Sequence, residues 1–491
     1  MGSGHVYVDM RDLRFAVVGA GMAGILAATK LREAGFDDVT VYEKAARLGG
    51  TWRENTYPGI ACDVPSHLYS YSFAPNPEWS HTFSPGAEIL SYLATVARRY
   101  GVDELIRYGS EVLRLEHDGL RWRIETSTGA HDVADVVIAA TGVLHHPRYP
   151  DIDGLDEFAG RAFHSARWDH RVPLDGAQIG VIGTGSTAVQ ITGALIDAVR
   201  GLHLFQRTPQ WILPVDNPPI AEADRASYRT DPAALVALRE ELNIAFVGNF
   251  ANAVVDAESP QLEALQDISR ANLENNVSDP VLREKLRPDY RAGCKRLVVS
   301  SNFYDVIQRP NAHLVTERIA RVEAAGVRTV DGVLHPLDVL VLATGFRVDR
   351  FLRPIEVIGR DGVHLDEVWR QRPFAYLSLS VPDFPNLFMV NGPNGPVGNF
   401  SLIDAAEAQI GYLMQLVGLL RRGDCRQISA SAEATARFEA SRVHAARKTV
   451  WVTGCRSWYL DQTGVPIAWP WSFAQFGEAM TRPRLADYEL L

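Results

Sequence analysis

The sequence predicts an α/β fold made of two doubly wound parallel-sheet domains, the second interrupted by a helical insertion. Three observations predict it. An apolar run leads into a glycine-rich turn twice, at Phe15-Ala-Val-Val-Gly19-Ala-Gly21-Met-Ala-Gly24 and at Ile179-Gly-Val-Ile-Gly183-Thr-Gly185-Ser-Thr-Ala188. Counting 24 residues on from the first glycine of each copy reaches a charged residue after a strand-like run: Glu43 after Val39-Thr-Val-Tyr, and Arg207 after Leu202-His-Leu-Phe-Gln. Two near-identical apolar runs, Val136-Val-Ile-Ala-Ala-Thr-Gly142 and Val339-Leu-Val-Leu-Ala-Thr-Gly345, follow the two copies in turn.

The glycine spacing has a physical reason. A tight turn between strand and helix aims backbone N–H groups and the helix N-terminus at one point, where a pyrophosphate is stabilised. Either copy alone is weak, since such turns also serve packing; two in register read as two Rossmann-like dinucleotide-binding domains. An acid at the end of the second strand suits free ribose hydroxyls, and an arginine suits a 2′-phosphate. The first unit (Gly19, Gly21, Gly24, Glu43) is therefore expected to hold FAD, and the second (Gly183, Gly185, Ser186, Arg207) NADPH.

Taken in order, the run Ile25-Leu-Ala-Ala-Thr-Lys-Leu-Arg-Glu-Ala-Gly35 reads as an amphipathic helix closed by glycine. The Thr-Gly strand ends suit either a crossing between domains or a buried strand with an ordinary turn. From Asp216 to Arg287 the pattern turns helical, with starts at Asp231-Pro and Asp279-Pro. The expected layout is residues 1–147 for the first part of the FAD domain and 148–215 for the first part of the NADPH domain. Residues 216–288 form the insertion, 289–335 complete the NADPH domain, and 336–491 complete the FAD domain with C-terminal loops. The aromatic-rich tail from Cys455 to Phe476 suits loops that line a pocket, or a lid over a core.

A net charge of −10 without a basic run argues against nucleic-acid binding. No apolar stretch reaches 18 residues and the first ten residues lack a signal-peptide core, so a cytoplasmic location without a membrane span is expected. Cys62, Cys294, Cys425 and Cys455 show neither Cys-x-x-Cys nor zinc spacing. They read as ordinary partly buried thiols, with no metal site, disulfide scaffold or redox-active dithiol.

Between the two units, Phe158-Ala-Gly160-Arg-Ala-Phe-His164-Ser-Ala-Arg-Trp168-Asp169 resembles the fingerprint of the type I Baeyer-Villiger monooxygenases, within the flavin-containing monooxygenase superfamily. Gly49-Gly50-Thr51-Trp52, Tyr57-Pro-Gly59, Cys62-Asp63, Phe205-Gln-Arg207-Thr208-Pro209, Gly293-Cys-Lys295-Arg296 and Ser457-Trp458-Tyr459 resemble family segments in the same order, over nearly the whole chain. Trp168 stands where relatives acting on nitrogen and sulfur usually carry Tyr or Phe.

The resemblance implies that NADPH reduces FAD, dioxygen adds to form a C4a-peroxyflavin, and this converts a ketone into an ester or lactone. It makes Arg296 the active-site cation and Asp63 its acidic partner. Gly50, Thr51, Trp52, Asp63, Thr208, Lys295 and Trp458 join the cofactor-binding residues, with Lys295 and Arg207 at the 2′-phosphate. His164 is implied to act through the domain connection and cofactor position, not as a base. Other readings of the same residues are an interdomain ion pair for Asp63 and Arg296, a solvated basic face for Lys295, and a core position for Trp458. The rival functions are a flavin monooxygenase oxidising sulfides or amines, and a non-oxygenating NADPH flavin oxidoreductase. The segment Gly392 to Phe400 and the tail after Tyr459 depart from the better-known ketone oxidisers, so the ketone stays unspecified, as does the oligomeric state.

Overall fold

The computed structural model describes residues 12–398 and 400–491; the opening eleven residues, the first ten of them read above for a signal sequence, and Asn399 lie outside them. Ten strands form two parallel sheets. In chain order, β1 (Phe15–Val18), β2 (Val39–Tyr42), β3 (Ile106–Arg107) and β4 (Val136–Ala139) precede β5 (Arg161–His164), β6 (Gln178–Ile182), β7 (Gly201–Phe205), β8 (Ala312–Val315) and β9 (Val339–Leu342), and β10 (Leu387–Met389) closes the series. The first sheet runs β10-β4-β1-β2-β3 and the second β8-β7-β6-β9-β5. Every neighbouring pair is parallel. Strands β1, β2, β4 and β9 are buried at every residue, as parallel strands covered on both faces must be.

The two near-identical runs turn out to be one structural part used twice. Strand β4 lies beside β1 and β9 beside β6, so each glycine motif is flanked by its own Ala-Thr-Gly strand end. A Cβ on Gly19 would stand 2.6 Å from the Ala140 carbonyl oxygen, and one on Gly183 would stand 2.3 Å from that of Ala343. The expected boundary at residue 336 therefore needs correction: β9 belongs to the second sheet, and the chain returns to the first domain only after Gly345. The return segment pairs with the outgoing one, through Arg148 N–H to Gly345 O at 2.8 Å and Arg347 N–H to His146 O at 2.9 Å. Thr141 Oγ1 donates to Phe351 O and Thr344 Oγ1 to Arg148 O, so each strand end holds the other domain's crossing segment.

Helix α1 (Met22–Glu33) follows the first motif and α2 (Ser186–Leu195) the second. Helix α1 is less amphipathic than expected. Residues Ala23 through Thr29 are all buried, because α5 (Leu402–Arg422) from the end of the chain covers what would have been its solvent face. The insertion is helical as its pattern predicts, with α3 (Pro232–Phe246) and α4 (Pro260–Asn276) its longest helices. Each starts at a capped proline: Asp231 Oδ1 accepts from Ala233 N–H at 3.0 Å, and Ser259 Oγ from Leu262 N–H at 3.1 Å. Arg239 on α3 donates to the backbone oxygens of Leu68 and Ser70 and pairs with Asp404 at the start of α5, which docks the insertion onto the first domain.

Cys294 and Cys455 form a disulfide, contrary to the expectation of four ordinary thiols. No spacing rule reveals it, since 161 residues separate the pair and only the fold brings them together. Cys62 and Cys425 are buried, and burial pushes the Cys62 thiol well above its usual range. Among the described residues, no helix is long and apolar enough to cross a membrane.

Candidate active site

The first glycine turn meets a second loop at its mouth. Gly21 caps α1, while Gly50, at φ 51°, precedes the short helix Thr51–Glu54; a Cβ on Gly50 would stand 3.0 Å from the Gly21 Cα. Gly49 N–H donates to Ala20 O at 2.9 Å, which locks the loops together. Two helix N-termini thus converge over bare backbone, an arrangement that fits the pyrophosphate of FAD. Trp52 behind them is buried and donates its indole N–H to the Tyr69 hydroxyl at 3.3 Å.

Glu43 is almost wholly buried, and its two oxygens accept from Ala20 N–H and Ala45 N–H, each at 2.9 Å. It holds the glycine turn in shape, and Oε2 keeps a lone pair for a ribose hydroxyl while Oε1 is also met by Arg53. Glu43 also starts a chain of charges that the sequence did not suggest. Arg53 pairs with Glu43 at 3.0 Å and with Glu54 at 2.6 Å, and Arg167 reaches Glu54 from the fingerprint segment, also at 2.6 Å.

The second motif repeats the first with more room. A Cβ on Gly185, the cap of α2, would meet nothing within 4 Å, so open space lies over the Ser186 helix start. Thr184 Oγ1 donates to the Thr208 carbonyl at 2.8 Å, tying the glycine turn to the loop that follows Arg207. Arg207 is exposed at the end of β7. The Lys295 ammonium is held below its ordinary pKa, first by burial and then by the nearby Arg207 charge. Among the described residues neither cation has an ion-pair partner; Lys295 donates to Arg456 O at 2.7 Å and lies over the Tyr290 ring. Two like charges kept close, with no ion pair made to either among the described residues although Asp289 lies within electrostatic reach of Lys295, fit a dianion such as a 2′-phosphate.

Asp63 and Arg296 meet between the two units. Tyr57-Pro-Gly59 docks on α2, with Tyr57 Oη donating to Gln190 Oε1 at 2.9 Å and Gln190 Nε2 donating to Ala61 O at 3.1 Å, and this places Asp63. Arg296 Nε and Nη2 both donate to Asp63 Oδ2, at 3.0 and 2.6 Å, and Nη1 donates to the Gly398 carbonyl. Burial works against the cation, but the Asp63 charge and hydrogen bond outweigh it, and the guanidinium pKa is raised.

Trp458 is half-buried, stacked on Tyr459 at 4.0 Å, and lines a small cavity with Val143, Val348, Phe351, Asn394 and Val397. Among the described residues the Oδ1 of Asn394, one of the residues lining that cavity, is buried without a hydrogen-bond partner, an acceptor that fits a ligand N–H.

The fingerprint residues lie at the domain connection. His164, fully buried at the end of β5, donates from Nε2 to Gly345 O at 3.0 Å while Nδ1 accepts from Ala166 N–H at 3.1 Å. Burial lowers its pKa, so it is a neutral clamp on the crossing segment. A Cβ on Gly160 would strike the Asp338 carbonyl at 2.4 Å and the Phe158 ring. Trp168 packs edge-on against Phe163, and Asp169 pairs with Arg171 at the surface. None of the five touches the Asp63–Arg296 pair. Two residues that do, Gly398 and Tyr459, were given no role from the sequence, although both lie in segments it marked, Gly392 to Phe400 and Ser457-Trp458-Tyr459.

Residues 16–221 match a family model described as pyridine nucleotide-disulphide oxidoreductase. An uncharacterized monooxygenase of Mycobacterium bovis is 46% identical over 97% of this chain and 95% of its own length. A Baeyer-Villiger monooxygenase of Streptomyces coelicolor is 41% identical over 98% of this chain and 93% of its own. The crystal structure of cyclohexanone monooxygenase from Rhodococcus sp. Phi1 bound to NADP+ superposes with a TM-score of 0.87, at 31% identity, over 97% of this chain and 99% of that one. The identity to these relatives over nearly the whole chain shows that it belongs to the Baeyer-Villiger monooxygenase family.

Proposed function

We propose that this enzyme, an FAD-containing, NADPH- and O2-dependent monooxygenase that converts ketones into esters or lactones, performs that conversion beside Arg296. The observation that carries the reading is the guanidinium held by Asp63 and the Gly398 carbonyl between the two dinucleotide units. Ketone, O2, NADPH and a proton give ester, water and NADP+. FAD supplies the oxygen-activating chemistry when bound in the Gly19–Gly24 and Gly50–Trp52 cradle. The protein's part is to bind, orient and exclude water. Arg296 is a permanent cation facing the negative charge that develops on the ketone oxygen, and Asp63 fixes its plane. Trp458 and Tyr459 wall that space against water. Arg207 and Lys295 take the 2′-phosphate, Glu43 the FAD ribose, and the fingerprint residues keep the two domains in register. Use of NADPH fits a cytoplasmic location.

The test is a panel of cyclic, linear, aryl and steroid ketones with 18O-labelled dioxygen, read by mass spectrometry. One labelled oxygen in an ester product is expected. Turnover of sulfides or amines with no ester from any ketone would overturn the reading.

A further inference from the structure

Asp63 alone is a poor clamp for Arg296. Both of its hydrogen bonds enter the single oxygen Oδ2, so they form a hinge about which the guanidinium can tilt. The Gly398 carbonyl stops that tilt by accepting from Nη1. Yet Gly398 has no side chain to anchor it and lies at φ +96°.

The anchor comes from elsewhere in the chain. Tyr459, 2% exposed, donates its hydroxyl to the same carbonyl at 3.1 Å. Its ring is stacked on Trp451 at 4.9 Å and on Trp458 at 4.0 Å, which fixes the ring plane and the position of the hydroxyl oxygen. The fit is close enough that a Cβ on Gly398 would come within 2.5 Å of the hydroxyl and 2.8 Å of the Trp458 ring. The disulfide from Cys455 to Cys294, two residues before Arg296, ties the same two segments together.

We infer that Tyr459 is a positioning residue for the oxygenation step, which sets the plane of Arg296 through the Gly398 carbonyl. The inference rests on the role of Arg296 proposed above. Among the described residues Tyr459 contacts neither glycine turn, nor Glu43, Arg207 or Lys295, and its Phe replacement keeps the stack on Trp458, so loss of the hydroxyl should spare flavin binding and reduction. What should suffer is the partition of activated oxygen between ketone and solvent. Without a fixed guanidinium, more of each turnover ends as NADPH, O2 and a proton giving NADP+ and hydrogen peroxide.

The experiment compares Tyr459→Phe, Tyr459→His, Arg296→Ala and wild type as FAD-loaded proteins. For each it measures flavin content, the rate of flavin reduction by NADPH, ester and hydrogen peroxide per NADPH consumed, and the thermal midpoint. Tyr459→Phe should keep its flavin and reduce it within about twofold of wild type, while the ester-to-peroxide ratio falls about tenfold. Tyr459→His, which keeps a planar donor, should recover part of that ratio. In a double-mutant cycle, Tyr459→Phe should lower the thermal midpoint less in the Arg296→Ala background than alone, since the shared carbonyl couples the two. Wild-type coupling in Tyr459→Phe, with ester lost in Arg296→Ala, would overturn the inference and leave the role of Arg296 standing. Full ester formation by Arg296→Ala would overturn both. If Tyr459→Phe loses flavin, the ratio in Tyr459→His decides: recovery supports the inference, and a loss of flavin there as well assigns Tyr459 to the core and overturns it.

Discussion

Replacing Gly24 by alanine tests the FAD cradle with one methyl group. The new Cβ would stand 1.8 Å from the Gly19 carbonyl oxygen and 3.0 Å from its carbon. Relief to ordinary contact requires the turn to retreat by more than about 1 Å. It has nowhere to go, since Gly19 itself is pressed against the Ala140 carbonyl and its N–H is bonded to Tyr42 O at 2.8 Å. Alanine favours the helix by about 0.5–1 kcal/mol, whereas overpacking against backbone costs about 1–3 kcal/mol or more. The net loss of about 1–2 kcal/mol falls on the turn that faces the pyrophosphate, so FAD affinity should drop roughly tenfold or more. The second unit supplies the control. Ala188 holds the matching position fully buried, so that unit already accommodates a Cβ, and Ala188→Gly should cost only about 1 kcal/mol with FAD retained. The assay is the flavin-to-protein absorbance ratio after desalting, with the thermal midpoint read by flavin fluorescence. A Gly24→Ala protein with stoichiometric FAD and an unchanged midpoint would refute the reasoning.

Arg207→Ala should raise the KM for NADPH about tenfold or more and leave that for NADH nearly unchanged, because a charge-assisted contact of about 1.5–3 kcal/mol is lost with only one of them. Equal losses in steady-state assays with both coenzymes would place the 2′-phosphate elsewhere. Asp404 gives a pH dependence: burial and the neighbouring Glu407 push its carboxyl up to about 6 despite Arg239. The folded protein therefore holds this proton more tightly than the unfolded chain, and the stability it contributes below about pH 4 is lost as pH rises through about 6. Asp404→Asn cannot lose that proton, so its stability relative to wild type should rise by up to about 3 kcal/mol between pH 4 and 7. Parallel curves of thermal midpoint against pH for the two proteins would show that Asp404 does not titrate in this range.

What was legible in the sequence was whatever depends on local spacing. Both glycine turns, the strand-end residues Glu43 and Arg207, and the proline-started helices follow from residues only a few positions apart. The pairing of Asp63 with Arg296 spans 233 residues, and no periodicity predicts it; only the resemblance of their flanking segments did. The misplaced boundary at residue 336 has a related cause. The expected layout puts the run from Val339 to Gly345 in the first domain, yet it repeats the run from Val136 to Gly142 because the units repeat, and it closes the second sheet. The Cys294–Cys455 bond and the Gly398–Tyr459 contact depend on the path of the C-terminal tail, which sequence pattern leaves open.

That bond changes what the tail is mechanically. The last part of the chain starts and finishes in the first domain, with β10 in its sheet and α5 across its first helix. Its middle is riveted to the segment that bears Lys295 and Arg296, and Trp451, Cys455 and Tyr459 share a core with Trp211 and Leu262 of the second domain and its insertion. If the domains turn relative to one another, the aromatic wall travels with the guanidinium, and the slack must be taken up on either side of it. Cavity shape and charge placement are then one moving part. A substitution that reshapes the wall to admit a bulkier ketone also shifts the cation, so substrate range and coupling efficiency should change together in any engineered variant of this loop.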